Sequence, residues 1–447
     1  MIDEIKKKVK YNQQCPYIAT ICRHMLDFDF EKLCSVTLSN LNVYVCLICG
    51  KYYQGKSINT QAYIHSLEQD HHLFMNLQNT KIYCLPDNYE VVDHSLEDIQ
   101  YNLDPKFNNL KELDDNVEES RALDGTTFLP GFVGLNNLSK SDYFNVVMQA
   151  LCRIKPLRNF MIFLQFQKSA TEPFDYNCLL SQRFSELTRK IWNPRNYKGH
   201  VSPHELLQAV TLKSNKQFKI GQQSDPMHLI IWFLDNLKKE LLHINKINTI
   251  ISDCFQGELQ YEWYKPLKNA IGYQPIPIIE QKSFFYLSLD LPSTPLQKDG
   301  SQKALIPSIS IQELIKKYDG FTNTDSADGR RRYTITKFPK YLIIHMKRFI
   351  KNNFFMEKNP TIVTFPLNDL DLSQCLNLEQ QNVKYNLIAN ICHEGTAKVG
   401  IYKIHVKNEA NNQWFQIQDL HKQNIVPQLI SVSEAYVQIY ELQQQQQ

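Results

Sequence analysis

The chain has 447 residues, 43% of them hydrophobic and 21% charged, with a formal net charge of +3. That length accommodates two or three domains and a substantial core, while a charge so near zero neither marks nor excludes a nucleic-acid partner. No apolar run approaches a membrane-spanning length, and the start, Met-Ile-Asp-Glu-Ile-Lys-Lys-Lys, lacks the apolar segment of a secretory leader. No membrane partner is expected, and the 11 cysteines read as core residues or metal ligands of a reducing compartment, cytosol or nucleus.

In chain order, residues 1–14 form a basic, polar, flexible N-terminus that carries Lys6, Lys7 and Lys8. Residues 15–105 combine clustered cysteines and histidines with short apolar runs such as Val43-Tyr44-Val45. Residues 106–125 are charged and poor in aromatics, as suits a helical or loose connector. The stretch 126–442 reads as one long globular region. Helical spacing over Tyr143–Ile154 and Met227–His243 comes first. Strand-like runs follow at Phe284–Leu291, Tyr341–Phe349, Tyr385–His393, Gly400–Val406 and Trp414–Ile417. Helices before strands, without alternation, predict an α+β fold. Residues 443–447 are all glutamine, a low-complexity tail that need not fold.

Cys46-Leu-Ile-Cys49-Gly50 is a two-cysteine knuckle whose spacing lets two thiolates reach one metal from a tight turn. His65, His71 and His72 follow. Two sulfurs and two imidazoles complete a tetrahedral zinc shell, and a closed shell of four is structural rather than catalytic. Spacing alone leaves the second histidine open: on an unbroken helix His72, seven residues on, would share the face of His65.

The segment Cys46–Gly50 with Gln61-Ala62-Tyr63-Ile64-His65 and His71 resembles the zinc-finger ubiquitin-binding domain. That resemblance implies one structural zinc on Cys46, Cys49, His65 and His71, with the chain leaving the helix before His71. A second metal site of the family has only Cys34 left, with Thr37, Gln54 and Gln61 at the other ligand positions. The tryptophan and arginine that grip the ubiquitin tail in that family correspond to Tyr44 and Lys56. Lysine lacks the planar fork that arginine offers a carboxylate, so ubiquitin binding is expected to be weak or absent.

The long region resembles the ubiquitin-specific protease family, a papain-like fold of palm, fingers and thumb. The likeness is carried by Gly134-Leu135-Asn136-Asn137-Leu138 through Asp142-Tyr143-Phe144-Asn145, by Phe284–Pro292, by Phe338–Phe349, and by Tyr385-Asn386-Leu387 through His393-Glu394-Gly395 to Trp414-Phe415. A cysteine hydrolase needs a thiolate, an imidazole to activate it and a group to orient the imidazole. Matched to the family's motifs, the nucleophile position is Asp142, the base is Ile401 and the orienting residue is Gln418, followed by Asp419. Asn137 matches the oxyanion-stabilising position. No catalytic residue is therefore expected. Asp142 reads as a helix-start residue whose carboxylate accepts free helix amides. Cys152 reads as core, and Cys392 and His393, adjacent on a strand, are expected to point to opposite faces.

Between Cys254 and Pro292 no cysteine pair offers the finger zinc of active members, so aromatic packing is expected there. Arg330-Arg331-Arg332 after Gly329 reads as a solvated basic loop, with contact to RNA or an acidic protein as the sharper alternative. Phe28–Cys34, Asp87–Glu90, Asp124–Gly131 and Lys351–Pro360 resemble the family's inactive, splicing-associated branch. That likeness implies a nuclear, non-catalytic scaffold that supports tri-snRNP assembly through snRNP and other spliceosomal proteins.

Overall fold

Strands that are apolar on both faces organise the N-terminal module. In the computed structural model, the described residues are 15–164, 176–245, 249–266, 273, 276–293, 306–326, 328–351, 355–375 and 383–443. The basic residues 1–14 and glutamines 444–447 lie outside them. The module is a five-stranded sheet in the order β2-β1-β3-β4-β5, with β1 Val43–Cys46, β2 Tyr52–Gln54, β3 Leu73–Asn76, β4 Ile82–Cys84 and β5 Tyr89–Val91. Alternate side chains face opposite sides of a strand. Val43, Val45, Leu73 and Met75 fill one core, and Tyr44, Cys46 and Phe74 fill another with Ala62. Ala62 belongs to helix α1, Gln61–Glu68. Helix α2, Glu97–Leu103, sends Ile99 and Leu103 into the first core.

The chain divides into two compact units, one of residues 1–138 with 159–220 and the other of 139–158 with 221–447. The first therefore joins the module to the thumb helices, α4 (Leu179–Ile191) and α5 (His204–Lys213). Tyr197, from the link between these helices, inserts into the module's core.

The second unit contains helix α3 (Asp142–Leu151), helix α6 (Pro226–Asn245) and two main sheets. Every residue of α3 is buried, the polar Asp142, Asn145 and Gln149 included. Asp225 opens α6: its side chain accepts from Met227 N at 2.7 Å, and Pro226 occupies the first helical position. The finger sheet runs β7-β6-β10-β9, with β6 Gly257–Tyr264, β7 Ile278–Phe284, β9 Thr324–Ser326 and β10 Gly329–Lys337. The palm sheet has the order β8-β11-β16-β12-β13-β14-β15. Its strands are β8 Tyr286–Asp290, β11 Tyr341–Lys347, β12 Lys384–Gly395, β13 Gly400–Asn408, β14 Gln413–Gln418, β15 His421–Ile425 and β16 Ala435–Leu442. Only β8 runs parallel to its neighbour. The mixed helix and strand content is that of an α+β protein, and the five strand-like runs read from sequence coincide with β8, β11, β12, β13 and β14 within a few residues.

One local expectation is corrected. Arg330, Arg331 and Arg332 lie inside β10 and pair with Tyr264, Trp263 and Glu262 of β6, instead of forming a loop. Arg330 is bonded to Asp325 at 2.8 Å, and the Arg332 guanidinium lies 5.3 Å from the Tyr264 ring centre. Ring pairs Tyr261–Tyr333 and Tyr318–Tyr333 pack the same sheet, as expected of fingers filled by aromatics.

Candidate metal centre and degenerate catalytic centre

The knuckle follows β1 directly, so Cys46 is anchored in the sheet and Cys49 is carried on the turn. Gly50 closes that turn at φ +73°, and a Cβ there would lie 2.0 Å from Met25 O. Helix α1 presents His65 in its last turn and ends at Glu68. Asp70 then adopts φ +58°, which turns the chain before His71. The four donor atoms of Cys46, Cys49, His65 and His71 lie within 4.8 Å of one another. Cys46 Sγ to His71 Nδ1 is 3.5 Å, Cys49 Sγ to His65 Nε2 is 3.5 Å, and His65 Nε2 to His71 Nδ1 is 3.1 Å. Zinc–sulfur and zinc–nitrogen bonds of ordinary length imply ligand spacings of about 3.3–3.8 Å in a tetrahedron. The donor set suits zinc, and the two sulfur–nitrogen distances fall in that range. His72 is directed elsewhere, its Nδ1 2.7 Å from Leu85 O and its Nε2 2.8 Å from Asp70 Oδ1. The facing Cys46 sulfur holds the Cys49 thiol below its ordinary value, while Cys46 itself is pushed up. A metal ion would take the place of the thiol protons.

The neighbouring remnant is filled by hydrogen bonds. Buried Cys34 Sγ accepts from Thr37 N at 3.4 Å and Gln54 N at 3.3 Å. Burial alone would raise its thiol, but the Thr37 and Gln54 donors bring it below the ordinary value. Thr37 Oγ1 donates to Gln54 Oε1 at 2.9 Å. At the ubiquitin-tail position Tyr44 is buried, and Lys56 Nζ sits 3.5 Å over the Tyr83 ring.

An alternating acidic segment fastens the module to the thumb. Asp27 pairs with Lys198, Asp29 with Lys190 at 3.0 Å and Ser202 N at 2.9 Å, and Glu31 with His204 at 3.2 Å. Behind them Lys32, Glu205, Arg183 and Glu186 form a connected charge network. Burial alone would raise the Glu186 carboxyl, but Lys32 and Arg183 bring it down to about 2. These acids fall within the Phe28–Cys34 motif and just before it. A period of two is the signal that would have identified them as one face of an extended segment.

In the second unit the positions matched to the family's triad are Asp142, Ile401 and Gln418. Asp142 is the first residue of α3, but its carboxylate does not cap that helix: Oδ2 accepts from Tyr402 N at 2.8 Å and from Gln223 Nε2 at 3.1 Å. That corrects the expected capping role. The group ties α3 to the residue beside Ile401 on β13. Ile401 is 40% exposed and Gln418 ends β14. Asp419 accepts from Asn145 Nδ2 at 2.8 Å, a second tie to α3. Cys392 donates its thiol to Lys403 O, and burial pushes it up to about 12. His393 packs against Phe349 and Tyr402, and burial lowers it to about 4. Cys152 is buried at the end of α3, and Asn137 is exposed. The sequence reading did not single out Gln223 or Asp225. Asp225 also accepts from Tyr436 OH at 2.7 Å, and the Asp-Pro start of α6 was a legible helix-start signal.

The fold is that of a ubiquitin-hydrolase-type body that follows a zinc-finger module in the chain. Residues 133–440 match the family described as ubiquitin carboxyl-terminal hydrolase, and residues 34–96 match the zinc finger in ubiquitin hydrolases and other proteins. The chain belongs to the ubiquitin carboxyl-terminal hydrolase family. It is 47% identical to ubiquitin carboxyl-terminal hydrolase 39 of Homo sapiens, covering 96% of this chain and 80% of that one. It is 39% identical to the probable mRNA-splicing protein ubp10 of Schizosaccharomyces pombe, covering 95% and 88%. It is 28% identical to the pre-mRNA-splicing factor SAD1 of Saccharomyces cerevisiae, covering 99% and 98%. Among solved structures, the crystal structure of an essential yeast splicing factor superposes with TM-score 0.78 at 26% identity, over 96% of this chain and 100% of that one. The ubiquitin-bound SAGA deubiquitinase module shares the fold, with TM-score 0.55 at 17% identity.

Proposed function

We propose that this chain is a nuclear, non-catalytic scaffold in pre-mRNA splicing that supports tri-snRNP assembly through contacts with snRNP and other spliceosomal proteins. Its splicing-named relatives support the process. The observation that carries the non-catalytic half is the Asp142 carboxylate, bonded to Tyr402 N where an attacking sulfur would have to stand. The other two matched positions hold Ile401 and Gln418, neither of which is a base or an acid. Removing a whole triad costs on the order of a millionfold in rate. One structural zinc, held by Cys46, Cys49, His65 and His71, stiffens the module and does no chemistry. Residues 15–105 and 126–442 are the two inherited modules, with 106–125 between them. Buried Tyr44 and the Lys56–Tyr83 contact argue against a tight grip on a free ubiquitin tail.

The test is add-back to nuclear extract depleted of the protein. Wild type and Asp142→Asn are expected to restore splicing and tri-snRNP sedimentation equally. Extract that splices at full rate after depletion would refute the assignment.

A further inference from the structure

The turn that carries Cys46 and Cys49 touches the segment that fastens the module to the thumb. Cys22 N donates to Leu47 O at 3.0 Å, and the Met25 carbonyl packs directly on Gly50. Tyr52, the first residue of β2, donates its hydroxyl to Asp27 O at 2.5 Å. From there the segment reaches the thumb. Asp27 pairs with Lys198, Asp29 with Lys190 on α4 and with Ser202 N, and Glu31 with His204, the first residue of α5. A return contact runs the other way: Tyr197 is buried in the module's core, and its hydroxyl donates to Asp98 at 2.7 Å. The same carboxylate accepts from Arg23 Nε at 2.6 Å. Residues 22–31 thus carry a continuous run of contacts from the knuckle to the thumb helices, within one compact unit.

We propose that residues 22–31 act as a strap that couples metal occupancy at the knuckle to the order of thumb helices α4 and α5. Folding of the Leu47–Gly50 turn is completed when a metal fixes Cys46 and Cys49. The strap is seated on that turn through Cys22 and Met25, and on the thumb through Asp27, Asp29 and Glu31. Freeing the turn therefore unseats the strap, and an unseated strap parts Lys190 from Asp29. Those two side chains are only 11% and 16% exposed, so the separated charges are poorly solvated. Coupling of this kind is reciprocal: to the extent that metal orders the thumb, the strap's acidic side chains tighten metal binding. The inference rests on the metal assignment to Cys46, Cys49, His65 and His71, and on nothing in the splicing assignment.

Zinc affinity of the full chain is read by competition with a colorimetric chelator, and hydrogen exchange is followed with zinc bound and after its removal by EDTA. Removal is expected to speed exchange about tenfold or more within Leu179–Ile191 and His204–Lys213, besides the module strands, while α6 keeps its protection. Asp29→Asn, which keeps an acceptor but loses the charge, is expected to weaken zinc binding about tenfold. Asp235→Asn, in an exposed pair with Lys239 on α6, is expected to leave it unchanged. A wild-type chain that retains no zinc would defeat the metal assignment and the strap together. Where zinc is retained, equal exchange of α4 and α5 in the loaded and stripped chain would overturn the strap alone. Equal zinc affinity of wild type and Asp29→Asn would do the same. Loss of protection in α6 to the same degree would mean general unfolding and would also overturn it. If Asp29→Asn does not fold, the exchange comparison on the wild-type chain decides by itself.

Discussion

The Cys46 centre and the Asp142 centre stand in contrast. At the first, four side chains from a knuckle, a helix and a turn converge as the corners of one tetrahedron, with few bonds among them beyond what an ion would replace. At the second, the side chains that could have faced a substrate are spent on the protein itself, Asp142 on Tyr402 N and Asp419 on Asn145. A centre kept for a ligand aims its donors at a common point. At the second the donors are absorbed by their neighbours instead, as Cys34 is by Thr37 and Gln54.

The largest expected effect comes from disabling the first centre. Cys46→Ser or Cys49→Ser should abolish zinc retention and unfold the module, because structural zinc contributes on the order of 10 kcal/mol to small domains. Metal analysis should fall from one equivalent to none, and amides of β1 to β5 should exchange freely. If zinc persists in both variants, the donor set is wrong.

Next is the acidic clamp. Asp29→Ala removes the ion pair of the Lys190 ammonium, which keeps the Phe28 carbonyl at 2.7 Å and the nearby charges of Glu205 and Glu186. Breaking a largely buried pair in this way costs about 3 kcal/mol, read as a lowered midpoint in urea. The pH dependence has a definite sign. Glu186 is held at about 2, below its unfolded value, so its contribution is complete above the ordinary carboxylate range and is lost as pH falls from about 4.5 towards 2. Stability that rises on acidification through that window would contradict the network.

A smaller loss is expected at the degenerate centre. Asp142→Ala strips a charged acceptor from Tyr402 N and should cost about 2 kcal/mol, with faster exchange of that amide. Asp142→Asn keeps an acceptor oxygen and should cost roughly half as much. The smallest change is Cys34→Ser, which preserves an acceptor for Thr37 N and Gln54 N and should cost about 1 kcal/mol. A collapse of the module in that variant would mean that Cys34 does more than accept two hydrogen bonds.

Legibility followed the range of the interactions. The palm strands could be read in advance because alternation and β-branched residues are local, as in Tyr385–His393 and Gly400–Val406. The clustering of Cys46, Cys49, His65 and His71 was expected only from family likeness, since the turn at Asp70 that brings in His71 rather than His72 is a backbone event that spacing does not reveal. Asp142 was placed correctly at a helix start, yet its partner is 260 positions away on β13. The triple arginine looked like a loop because charge masked its strand pairing with β6. Long-range partners of this kind leave no periodic trace.

The claim that this body holds rather than cuts is tested most directly with a ubiquitin C-terminal fluorogenic reporter, using the full zinc-loaded chain at micromolar concentration. No release above buffer is expected from wild type, from Asp142→Cys, or from Asp142→Cys combined with Ile401→His, because Gln418 still supplies no orienting acid. Turnover by the wild-type chain that disappears in Cys392→Ser or Cys152→Ser would contradict the account outright.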